Sequence, residues 1–140
     1  MTDEQKQHLE FIQNTINRLS SNSMQLKAIT ITLAAGLLAV YASNTKDFLL
    51  YIALAQIVFF WMLDGYYLQQ ERKFRGIYND VCGVTKVNIV KDYEMPTKLY
   101  KKGKYSFFRS VFSLSKILFF GSISLVITIL ILGLVKNHFS

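Results

Sequence analysis

Apolar residues fall at Leu9, Ile12, Ile16 and Leu19, and the same spacing continues through Ser23, Leu26, Thr30, Leu33, Leu37 and Val40. Intervals of three and four are the a and d positions of a heptad. The spacing therefore predicts one long helix that packs on a neighbour or on copies of itself, with Leu9, Ile12, Ile16 and Leu19 as an oligomer seam. Thr2 or Asp3 can cap its start, and Asp3 and Glu4 suit the positive end of the helix dipole. Ser20–Ser23, "SSNS", is the weakest stretch and the expected point of any break at a membrane surface.

Beyond it the pattern changes from periodic to continuously apolar. Ala28–Ala42 lies in an uncharged gap bounded by Lys27 and Lys46, and Phe48–Leu63 continues past Asp64 to Leu68. Ile117–Val135 runs without a charge between Lys116 and Lys136. A helix needs about 20 residues to cross about 30 Å of hydrocarbon, and the shorter runs suffice if their flanking side chains snorkel. The expected class is an all-α membrane protein with three transmembrane helices, over 28–43, 48–68 and 117–135. They are accompanied by an amphipathic N-terminal helix (1–27), a basic segment (70–116) and a short tail (136–140). The second helix is expected to leave the bilayer past Tyr66 and Tyr67 and run to about Val81, with Gly83 as its stop. Val84–Val90, rich in β-branched residues, reads as a short strand or an extended connector as readily as a helix, and Pro96 marks another break.

Composition agrees, since 51% hydrophobic residues with only 18% charged is unusual for a soluble domain. The polar, amphipathic stretch ahead of Ala28 is unlike a cleavable signal. A single cysteine, Cys82, excludes an internal disulfide and fits a reducing compartment.

Charge sets the orientation. Lys6, Arg18 and Lys27 precede the first span, Lys46 alone separates the first two, and Lys136 alone follows the third. Arg72, Lys73, Arg75, Lys86, Lys91, Lys98, Lys101, Lys102, Lys104, Arg109 and Lys116 stand between the second and third, against Glu71, Asp80, Asp92 and Glu94. The positive-inside rule then places the N-terminus and the basic segment in the cytoplasm. The excess of that segment is +7, equal to the net charge of the whole chain. Such a surplus exceeds what orientation needs and points to an anionic partner, either lipid headgroups or a nucleic acid or nucleotide. Candidate contacts are Arg72, Lys73, Arg75, Lys98, Lys101, Lys102, Lys104 and Arg109. In "KLYKKGKYSFFR" (Lys98–Arg109) bases alternate with Tyr100, Tyr105, Phe107 and Phe108, a mixture suited both to stacking on nucleobases and to lying in the membrane interface.

Catalytic chemistry has little to work with. His8 and His138 fall on opposite sides of the membrane, and the sequence has neither a Cys/His metal cluster nor a glycine-rich phosphate loop. No enzyme, metal or cofactor is expected. A channel, a pore-former or a small assembly factor fits better. Three helices cannot enclose an aqueous path, so conduction would require a symmetric homo-oligomer. Gly121, Ser124 and Thr128 make a small and polar stripe that can line a pore or allow close helix packing. Asp64 near the cytoplasmic end of its span, with Glu71 and Arg75 on the same helix face, can belong to an interhelical polar network or to a carboxylate ring at a pore mouth. Solvation at the headgroups, or pairing with Arg72 or Lys73, is the simpler reading of Asp64.

"HLEFIQNTINRLSSNS" (His8–Ser23), "FFWMLDGYYLQQERKFRGIYNDV" (Phe59–Val81) and "FFRSVFSLSKILFF" (Phe107–Phe120) look like a family of small bacterial membrane proteins, and within it the chain resembles the membrane effector of the Hailong antiphage defence system. The likeness is weakest from Gly83 to Tyr105. It implies an oligomeric ion channel paired with a nucleotidyltransferase, whose product, a DNA oligomer, holds the channel closed until infection removes it. It assigns no ligand residue, so the basic residues named above rest on charge and position. The alternative function is a non-conducting membrane scaffold or adaptor that binds anionic lipid or a soluble partner.

Overall fold

The computed structural model describes residues 2–44, 46–84, 88–91, 93–101 and 103–140. The helices are α1 (Asp3–Asn44), α2 (Phe48–Cys82), the short α3 (Phe107–Val111) and α4 (Leu114–Phe139), with 3-10 turns at Thr97–Leu99 and Gly103–Tyr105. No strand occurs among the described residues: Val84 and Asn88–Val90 are irregular, and residues 85–87 of the expected connector lie outside the described set. The protein is all-α, and α1, α2 and α4 are each long and apolar enough to span a membrane.

Helix α1 opens on a capping box. Gln5 N donates to Thr2 Oγ1 and Thr2 N donates to Gln5 Oε1, both at 3.2 Å, so two orphan backbone donors are satisfied reciprocally. The helix passes through Ser20–Ser23 unbroken, as the continuous register predicts, and its weakest stretch brings no break. Each serine costs only roughly half a kcal/mol in helix propensity, too little to break a long helix whose buried positions continue on either side. Leu9, Ile12, Ile16, Ser23 and Thr30 are buried on the heptad spacing, but the next buried residue is Ala34 rather than Leu33. A straight helix drifts by about 20° per heptad, so its contact stripe slips by one position over this length.

Helix α2 ends where its sequence stops it. Gly83 has φ +80°, a left-handed value that side chains disfavour, and Val84 N donates to Asn79 O at 3.0 Å, closing a Schellman cap.

The chain divides into two compact units. The first comprises Met1–Met24 and Gly65–Ser110, the second Gln25–Asp64 and Val111–Ser140.

In the first unit Ile12, Ile16, Ile77 and Tyr100 form the core, with Phe74, Tyr78, Val81, Val90 and Tyr105 packed around it. The segment after Pro96 is strapped along α2. Tyr100 Oη donates to Asp80 Oδ2 at 2.5 Å, Gln69 Nε2 to Tyr105 O at 3.0 Å, and Arg72 Nη1 to Lys104 O at 3.0 Å. Burial, reinforced by the Asp80 acceptor, pushes the Tyr100 phenol above its ordinary range, so it remains a donor through neutral pH. The connector before Pro96 is held on α1, where the fully buried His8 places Nε2 2.7 Å from Glu94 O and Tyr93 Oη donates to Gln7 Oε1 at 2.6 Å.

Gly76 allows the strap to seat. A Cβ there would fall 2.5 Å from Tyr105 Oη and 2.9 Å from the Tyr100 ring. Alanine is the better helix former by about 1 kcal/mol, yet overpacking at such distances typically costs about 1–3 kcal/mol. Gly76→Ala is therefore expected to lower the thermal midpoint of the protein, although the same change in an open helix would raise it.

In the second unit Ala34, Ala53, Ile57, Phe120 and Ile127 are buried together. Trp61 stacks on Phe120 with the rings 8° from parallel, and its Nε1 donates to Val111 O at 2.8 Å. The outer faces are apolar: Leu118, Leu125, Ile129 and Leu132 are all more than half exposed. Only 11% of the most apolar stretch of α1 and of α4 is buried within the chain. Contiguous apolar surface of this extent suits lipid or further copies of the protein.

Candidate functional site

Each apolar run is bordered at one end by a charge: Lys27 precedes the first, Asp64 follows Leu63 in the second, and Lys116 precedes the third. Within the second unit these three come together. Asp64 is fully buried, with Oδ2 2.6 Å from Lys116 Nζ and 3.8 Å from Lys27 Nζ. The Lys116 side chain is 4% exposed and that of Lys27 26%. One carboxylate thus links lysines from α1 and α4 to the helix that carries it. Two buried ions give net stability only when their geometry is good, but removing one partner strands the other in a low dielectric. Lys27 Nζ also lies 6.0 Å from the centroid of the Phe119 ring. At the other end of the same unit His138 Nε2 is 3.3 Å from Asp47 Oδ2, a second polar tie between α4 and the turn before α2.

Glu71 is engaged elsewhere. It accepts from Arg75 Nη2 at 2.7 Å and Nε at 3.1 Å, an i, i+4 pair in the first unit. Thr128 donates its hydroxyl to Ser124 O at 2.7 Å, while Ser124 Oγ is buried without a hydrogen-bond partner among the described residues.

The basic candidates lie in the first unit. Lys98, Lys101, Lys104 and Arg109 are exposed, Arg72 and Lys73 are half-buried, and Lys102 and Lys86 lie outside the described residues. The strap brings Arg72 to Lys104, and Lys104 Nζ sits 5.3 Å from the centroid of the Tyr105 ring. Among the described residues, none of Lys98, Lys101, Lys104 and Arg109 forms an ion pair with a carboxylate.

The seam residues are placed differently from the expectation of an oligomer interface. Ile12 and Ile16 are buried against Ile77 and Tyr100 of the same chain, Leu9 is buried as well, and Leu19 is half-buried. A heptad stripe fixes that a helix is packed but not on what, and here the partner is the chain itself. The lysine cluster was the feature sequence reasoning passed over. Its signal was the recurrence of a charge at the border of each apolar run, which topology alone could have aligned.

Fold and cluster together define an all-α protein whose three long apolar helices are compatible with spanning a membrane. No family model matches the chain, no curated protein matches it, and no solved structure matches it.

Proposed function

We propose that the protein is a homo-oligomeric channel of the bacterial inner membrane that acts as an antiphage effector and is controlled by an anionic nucleic-acid or nucleotide ligand on its cytoplasmic basic face. The observation that carries this reading is the set of exposed bases without acidic partners among the described residues at Lys98, Lys101, Lys104 and Arg109, interleaved with Tyr100, Tyr105 and Phe108. A polyanion would satisfy these charges, and the exposed Phe108 would stack on its bases. The resemblance to the Hailong effector supplies the rest: a DNA oligomer made by an associated nucleotidyltransferase holds the channel closed. Because the seam residues are used inside the chain, oligomers would form through the exposed apolar faces of α1, α2 and α4 and the Ser124–Thr128 stripe.

A non-conducting scaffold is favoured by one specific observation. Leu99 and Phe108, 55% and 71% exposed, flank the same bases and would enter a lipid interface as readily as a stack of nucleobases. The triple variant Lys98→Glu/Lys101→Glu/Lys104→Glu separates the two. Loss of three phosphate contacts should lower the slope of log affinity for single-stranded DNA against log salt by about 2. That change, with vesicle association unaltered, supports the channel reading. Weakened vesicle association with unaltered DNA binding supports the scaffold.

A further inference from the structure

We propose that Lys27 binds the phosphate of an anionic phospholipid, which completes the charge of the Asp64 cluster. Among the described residues the cluster holds two ammonium groups and one carboxylate, and both close approaches end on the same oxygen, Asp64 Oδ2. Lys116 takes that oxygen at 2.6 Å and is almost fully buried. Lys27, at 3.8 Å, is beyond hydrogen-bond distance, and about a quarter of its side chain is exposed. The carboxylate therefore neutralises one lysine and leaves a positive charge at the other. Repulsion between two ammonium groups crowding one oxygen favours an anion on the open side of Lys27.

The position of Lys27 selects the occupant. It is the last charge before the first apolar run, the depth at which lipid phosphates meet hydrocarbon, and the Phe119 ring beside it offers apolar surface to the first carbons of an acyl chain. A net-negative headgroup such as phosphatidylglycerol supplies the missing charge, whereas zwitterionic phosphatidylcholine brings its own cation. The lipid thereby becomes a fourth member of the cluster that ties α1, α2 and α4. This assignment holds whether or not the oligomer conducts.

Trp61, the single tryptophan, reports on this unit through its stack on Phe120. The test is thermal unfolding of detergent-solubilised protein, followed by Trp61 fluorescence, with added phosphatidylglycerol, phosphatidylcholine or inorganic phosphate. Phosphatidylglycerol should raise the midpoint more than phosphatidylcholine does, and inorganic phosphate should not reproduce the rise. Lys27→Gln should lose most of that lipid preference, while Lys101→Gln/Lys104→Gln keeps it. Preference retained in Lys27→Gln, absent from the wild type, or reproduced by inorganic phosphate overturns the proposal. Amine-reactive footprinting of wild-type protein gives a second readout that needs no variant. In phosphatidylglycerol nanodiscs, labelling of Lys27 should slow several-fold relative to phosphatidylcholine nanodiscs and more than that of Lys101. Equal slowing at both lysines would argue against a defined site.

Discussion

Asp64→Leu is expected to be the most damaging single change in the protein, with a loss of about 3–5 kcal/mol, the usual cost of breaking a buried ion pair from one side. The variant removes the carboxylate that two lysines approach and takes from the buried Lys116 its counter-charge at 2.6 Å. Leucine is no smaller than aspartate, so the damage comes from the lost charge rather than from lost volume. The measurement is unfolding in a denaturing-detergent titration read by Trp61 fluorescence. Adding Lys116→Met should recover much of the loss, because replacing a buried pair by apolar residues of similar size is often neutral. A double variant as unstable as Asp64→Leu would mean that the two charges are not energetically coupled. Asp64→Asn, which keeps the shape and loses the charge, is the variant to carry into conductance and oligomerisation measurements. A change in conductance with intact oligomers would favour a pore-mouth role, and dissociation would favour an interhelical one.

Ile12→Ala should be nearly as severe, at about 2–5 kcal/mol, because it opens a cavity in the core of the first unit, where Ile12 is fully buried beside Ile77 and Tyr100. Its character matters as much as its size. Were Ile12 an oligomer-seam residue, the variant would dissociate subunits that remain folded, and its effect would diminish as protein concentration rises. Core packing instead predicts a lowered thermal midpoint that is independent of concentration. Phe11, 45% exposed one position away, gives the control: Phe11→Ala should change stability little.

The contrast between these two residues shows what a sequence of this kind makes legible. Uncharged length picked out the three helices long and apolar enough to span a membrane, and Gly83 marked the end of α2, because each depends on local chemistry: hydrocarbon thickness in one case, left-handed backbone in the other. The heptad stripe of α1 was equally plain, but periodicity carries no information on whether the receiving surface belongs to the same chain. Asp64 was visible as an anomaly at the border of its run. Its lysine partners lie 37 and 52 positions away in sequence. Only the alternation of helix direction brings all three charges to one level, and Lys27 by itself looks like an ordinary orientation signal. The strap was obscured for another reason. Gly76 reads as a weak point in a helix, and its use becomes apparent only with Tyr100 and Tyr105 seated against it. The basic residues were countable from the start, whereas their division into exposed bases and those tied to the backbone, as Arg72 is to Lys104 O, depended on where the strap lies.

Ion flux in proteoliposomes separates a ligand-controlled channel from a non-conducting membrane protein. Purified protein is inserted with its basic face accessible, the vesicles are loaded with potassium, and flux is recorded before and after addition of short single-stranded DNA. Inserted protein should pass ions, and the DNA should suppress that flux, with suppression lost in Lys98→Glu/Lys101→Glu/Lys104→Glu. Well-inserted protein that passes no ions under either condition would contradict the channel reading.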